Sequence, residues 1–221
     1  MSNDNRNGFA RIVAVIWLAS LSSALHVQWT PTNSYRVEHD GRTLFSATGV
    51  AAFSQGEWAA ASTGSLRLVS KESITGNHPV LGKYKGHTLR WAVGVMAYVT
   101  TSKNFADGCT VLFEQSWPNG ANGTSLVAHN ASGVNSNQEV ISNFPAFTNV
   151  SLSNTISWAG SFVGAQHNVG VQGATGSTGG PTVFFDASDP LLGDVVVLSP
   201  LDNFKVQLLW SELLLWSELL L

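Results

Sequence analysis

Two carboxylates stand at the ends of apolar runs, Glu114 in VLFEQSW and Asp186 in VFFDASD. Loss of water at such positions raises a carboxyl pKa. Hydrolysis of a glycosidic bond uses two acids about 5 to 10 Å apart, one protonated and one ionised. Linear order gives no sign that these two meet, and acids that face solvent or cap turns at strand ends are the simpler reading. They therefore stand as carbohydrate-binding candidates, and no catalytic residue is assigned. Trp58, Trp117 and Trp158 offer aromatic faces on which a pyranose could stack, Trp117 foremost, although tryptophan in a β-sandwich is more often core than site.

Other chemistries find less support. The histidines, at 26, 39, 78, 87, 129 and 167, include no closely spaced pair of the kind that holds zinc. No metal site and no cofactor is expected. A Gly-x-Ser-x-Gly elbow is absent, and Gly170 to Pro181 (GVQGATGSTGGP) has no lysine to make a phosphate loop. Four glycine triplets with a single closing proline are too short for a collagen helix, so this stretch is expected to be a flexible loop between strands. Cys109 is the only cysteine, which rules out a disulfide within the chain; between Gly108 and Val111-Leu112-Phe113 it is expected to be a buried thiol at a strand start.

The elements that would carry these residues are strands. From Trp29 to Leu198, short apolar or alternating runs are separated by Gly, Asn, Ser and Pro clusters. Candidate strands are 35–39, 43–54, 65–70, 88–101, 109–116, 125–129, 156–163, 182–186 and 194–198. The longest, LRWAVGVMAYVT around Gly94, is expected to be one buried strand with a bulge. Strands in series without helices between them predict an all-β fold, an antiparallel two-sheet β-sandwich spanning residues 25–206.

Both ends differ from this pattern. Ile12 to Leu21 (IVAVIWLASL) follows Arg6 and Arg11 and precedes Ser22-Ser23-Ala24, the grammar of a signal peptide. A signal helix over residues 1–24, with cleavage after Ala24, is the expectation; the alternative is a buried amino-terminal helix or strand. The run is about half the length that crosses a bilayer, so no stable membrane span is expected. At the other end, Trp-Ser-Glu-Leu-Leu-Leu at 210–215 is repeated without change at 216–221. Six residues advance a helix by about 600°, so leucine wraps all round and no amphipathic face forms. Residues 207–221 read as an aberrant duplicated tail, with a short packed helix as the structural fallback.

Composition narrows the partners. Of 221 residues, 44% are hydrophobic and only 11% charged, with net charge -3, and no Lys or Arg lies between Lys103 and Lys205. Half the chain thus has no cation to meet a phosphate, and nucleic acid is not an expected partner. Secretion makes the sequons at Asn122, Asn130 and Asn149 candidate N-glycosylation sites.

A family resemblance adds to this reading. Phe113-Glu114-Gln115-x-Trp117-Pro118-x-Gly120, Phe144-Pro145-Ala146-Phe147, Gly179-Gly180-Pro181 leading to Phe184-Phe185-Asp186, and Leu198-Ser199-Pro200-Leu201-Asp202-Asn203-Phe204 together resemble the amino-terminal β-sandwich of secreted glycoside-hydrolase-like proteins of the α-galactosidase and raffinose-synthase type. The likeness spans about residues 85 to 206. In that family the sandwich precedes a (β/α)-barrel that holds the catalytic carboxylates. A barrel needs about 250 residues, and 17 residues follow Phe204. The resemblance therefore implies a non-catalytic accessory module, carbohydrate-related, whose missing partner is a barrel domain. An autonomous lectin-like binding domain is the alternative, and a small hydrolase using Glu114 and Asp186 a weaker third.

Overall fold

The computed structural model describes residues 11–18, 24–47, 49–54, 57–94, 96–120, 142, 144–159, 166–171, 182–186 and 195–200. Every regular element among them is a strand. In chain order these are β1 (Arg11–Leu18), β2 (Leu25–Trp29), β3 (Tyr35–His39), β4 (Arg42–Ala47), β5 (Ala51–Ser54), β6 (Glu57–Ala60), β7 (Arg67–His78), β8 (Gly82–Val93), β9 (Met96–Phe105), β10 (Thr110–Ser116), β11 (Asn149–Val150), β12 (Asn154–Ala159), β13 (Gln166–Val171), β14 (Thr182–Phe185) and β15 (Val195–Pro200). Nine strands form one antiparallel sheet in the order β13-β12-β14-β15-β1-β10-β9-β8-β7. Four more form a second sheet, β11-β4-β3-β2, and β5 and β6 pair by themselves. The fold is all-β, with antiparallel sheets packed together, as the strand-and-turn pattern predicts.

The core lies where the two larger sheets face each other. Tyr35 and Phe45 of the small sheet meet Phe113 and Phe184 of the large one, with ring centroids 5.9 and 5.1 Å apart. Phe144 and Phe147 fill the space between, each within 6.0 Å of Phe113. Apolar burial of this kind is the main source of stability. Tyr35 also ties the layers by hydrogen bonds: its hydroxyl donates to the Ala146 carbonyl at 3.0 Å and accepts from the Ala146 N–H at 2.7 Å. Burial pushes that phenol pKa well above its ordinary range.

Three local expectations are corrected. Residues 88–101 are not one bulged strand: the chain turns at Gly94, whose φ of +54° suits glycine, and β8 and β9 return as a hairpin. Residues 43–54 divide into β4 and β5 around Gly49, at φ +146°. Arg11–Leu18, expected as a signal helix, is strand β1, paired antiparallel with β10 on one side and β15 on the other. After Arg11 the run is apolar and rich in β-branched residues, which favour a strand. The loop expected at 170–181 falls outside the described residues beyond Val171, and the duplicated tail and the strand expected at 125–129 fall wholly outside them.

Candidate functional site

The carboxylates singled out by sequence do not meet. Glu114 sits on β10 and pairs with Lys103 of β9, with Oε2 and Nζ 2.8 Å apart. Asp186 follows β14 and pairs with Arg42 of β4 at 3.0 Å. Strands β10 and β14 are separated by β1 and β15, three interstrand spacings or about 14 Å. Alternation also puts the two acids on opposite faces, since Asp186 continues the register of buried Phe184 while Glu114 points away from buried Phe113. An acid–base pair for glycoside hydrolysis does not form from these residues. Trp117 is wholly buried and stacks on Tyr98 at 5.1 Å, so it is core and not an exposed sugar platform. Trp58 packs edge-on to Phe53 across the β5–β6 hairpin, and Trp158 lies on β12 opposite His167 of β13.

Around Glu114, however, the large sheet presents a polar face directed away from the core. Register places residues of β7, β8, β9 and β10 in straight cross-strand rows. The first row is Ser70, Arg90, Val99 and Ser116, and the second Glu72, Thr88, Thr101 and Glu114. Ile74, Gly86, Lys103 and Leu112 form the third, and Gly76, Tyr84 and Phe105 the fourth. Residues two apart on a strand share a face, so all four rows look the same way. Exposure falls from β7 inward: the Glu72 and Arg90 side chains are 56% and 54% accessible, those of Lys103 and Glu114 only 11% and 16%. The result is a shelf that is open at β7 and β8 and closes toward β10.

Polar groups on this shelf are held in place. Thr88 and Thr101 hydroxyls are 3.0 Å apart, Arg90 Nε lies 3.7 Å from Glu72, and the Lys103 ammonium stands 4.9 Å from the Tyr84 ring centroid. That cation–π contact and the Glu114 pair hold one lysine from two sides. Two glycines shape the floor. A Cβ on Gly76 would lie 2.5 Å from the Tyr84 hydroxyl, so the tyrosine ring lies across bare backbone. At Gly86 a Cβ would come within 1.9 Å of the Ser102 carbonyl oxygen, so only glycine lets the β9 backbone approach this closely in the third row. Hydroxyls, a carboxylate, a guanidinium and a half-buried aromatic on one face are groups that can bind a polyol by hydrogen bonds and ring contact.

Of these residues only Glu114 was singled out from sequence. Tyr84 and Thr88 carry a weak signal, the alternation in GKYKGHTLRW, which marks two faces but not the strands that flank them. The sequon Asn149 lies exposed on edge strand β11, whereas Asn122 and Asn130 fall outside the described residues. No group of three or more His, Cys, Asp or Glu side chains that could hold a metal occurs among the described residues. No helix among them is long and apolar enough to cross a membrane. No protein-family model matches the chain, and neither a curated protein nor a solved structure matches it at a significant level.

Proposed function

We propose that this chain is a secreted, non-catalytic β-sandwich module that binds carbohydrate, an accessory unit of a glycoside-hydrolase-like protein whose catalytic barrel lies elsewhere. The observation that carries the reading is the ordered polar face of β7 to β10, with the half-buried Tyr84 ring among hydroxyl and charged side chains. Support for a non-catalytic role comes from Glu114 and Asp186, each neutralised by its own cation on opposite faces of the sheet. Secretion is supported by the signal-peptide grammar of residues 1–24 and by the accessibility of the Asn149 sequon.

The test is a glycan array and polysaccharide pull-down with the purified chain, alongside Tyr84→Ala and Thr88→Val. Binding that falls about tenfold or more in both variants, a loss of about 1.4 kcal/mol each, with no release of reducing sugar, is the expected result. Absence of binding, or binding unchanged by both substitutions, overturns it. Turnover that survives Glu114→Gln removes the non-catalytic assignment and leaves Glu114 without a catalytic role. Binding by the chain on its own, at an affinity not raised by any barrel partner, favours an autonomous lectin-like domain over an accessory one.

A further inference from the structure

Strand β7 is the last strand of the large sheet, twelve residues long, and among the described residues it is paired only on its β8 side. Its other side carries a row of main-chain N–H and C=O groups with no strand of the described residues beside them. Proteins shield such edges with prolines, bulges or inward charges, because a bare edge pairs with another strand. In β7 the single register shift lies at one end, between Leu68 and Ser70, and the inward-facing charge of Lys71 is drawn over the Trp29 ring at 5.8 Å, which leaves the backbone from Ser70 to His78 continuous. The large hydrophobic side chains exposed among the described residues flank this same run: Val69 is 55% and Val80 84% accessible.

We propose that β7 pairs antiparallel with β7 of a second copy of this chain, about a two-fold axis through Ile74. A perpendicular axis keeps each face of one sheet continuous with the same face of the other, which requires the axis to pass through a residue. Centred on Ile74, the register sets Ile74 against Ile74, Ser73 against Thr75, Glu72 against Gly76 and Lys71 against Asn77. No like charges oppose each other. An axis at Lys71 or Glu72 places identical charges face to face, which is destabilising. An axis at Ser73 sets Glu72 diagonal to Glu72 of the second copy, again like charge against like. The Ile74 register also puts Glu72 diagonal to His78 of the second copy, within reach of long side chains. His78 Nδ1 accepts the N–H groups of Val80 and Leu81 at 3.3 and 3.2 Å, so the ring proton sits on Nε2 and is free to be donated to that carboxylate. Two such bonds form per dimer.

Sedimentation of the full chain between about 1 and about 100 µM tests the association, a range that covers the affinities of modest interfaces. The expected result is a concentration-dependent dimer that Ile74→Lys weakens more than tenfold and Ile74→Thr less than about threefold. Disulfide trapping in a Cys109→Ser background reads the register without relying on the folding of the lysine variant. Ile74→Cys is expected to oxidise to a covalent dimer, because residues opposed on the axis have Cα atoms about 4.5 to 5.5 Å apart, within the range a disulfide spans. Asn77→Cys, which faces Lys71, is expected to stay reduced. A chain that remains monomeric with no trapping at position 74, a dimer indifferent to Ile74→Lys, or trapping that is faster at position 77 each overturns the proposal.

Discussion

Trp117 carries an indole N–H that is buried and finds no hydrogen-bond partner among the described residues, next to the ring of Tyr98. An orphaned donor costs about 1–3 kcal/mol, so removing it offsets part of any loss of packing. Trp117→Phe is therefore expected to cost under about 1.5 kcal/mol in urea unfolding, against about 3–5 kcal/mol for Trp117→Ala, which opens a cavity. Tyr35 is the opposite case, since its hydroxyl satisfies both the N–H and the carbonyl of Ala146. Tyr35→Phe leaves both groups buried and unpaired, and the same measurement should show a loss of about 1–3 kcal/mol. His87 governs a pH response. Burial, and secondarily the nearby Lys71 charge, hold its pKa below the ordinary value, so the folded state keeps the ring neutral. The unfolded chain then binds the proton more readily than the folded one. Stability from this source is complete above the unfolded pKa and falls as pH drops through it toward the folded value. Melting curves at about pH 7.5 and about pH 5.5 should show a decrease that His87→Gln reduces, while a drop of equal size in the variant would assign the effect to other groups.

At the level of elements, β1 holds the large sheet in one piece. It lies between β10 and β15, so without it the β7–β10 block and the β12–β15 block have no ladder between them. Deleting residues 1–18 is expected to abolish a single cooperative unfolding transition, and a truncated chain that melts as sharply as the full one would show β1 to be dispensable. The same residues carry the signal-peptide pattern, and both readings arise from one property. An apolar, β-branched run suits a signal sequence and a sheet strand equally. The intact mass of protein recovered from a secretory host separates them: a start at Leu25 means removal, and retained Arg11–Leu18 means a structural strand. Between β8 and β9 the constraint falls on a single glycine. Gly86→Ala sets a methyl group 1.9 Å from the Ser102 carbonyl oxygen, a backbone atom that cannot move aside, and a loss of about 3 kcal/mol is expected.

For the molecule as a whole, the two faces of the large sheet divide the work. One face packs Phe113, Phe184 and Leu198 into the core, and the other carries the Lys103–Glu114 pair and the hydroxyl rows. Asp186, by contrast, joins the layers through Arg42. In Lys103→Met the partly buried Glu114 loses its cation, whereas the double variant Lys103→Met, Glu114→Gln removes both charges together. The single substitution is expected to destabilise by more than the double, a sign of coupling that additive effects would not give.

Composition, turn residues and period-two alternation were enough to give the all-β class, the antiparallel arrangement and several strands almost to the residue, including Tyr35–His39 and the run ending at Ser116. These are local properties, written in the order of neighbouring side chains. Which acids meet, which tryptophans are covered and which strand lies beside which are set by contacts between residues far apart in the chain. Glu114 and Asp186 have similar flanking sequences, yet the register of β10 and β14 sends them to opposite faces. Trp117 reads from sequence as either core or platform, and only its stacking on Tyr98 decides between them. The shelf on β7 to β10 exists because four strands align Thr88 with Thr101 and Tyr84 with Phe105, a juxtaposition that no single segment specifies.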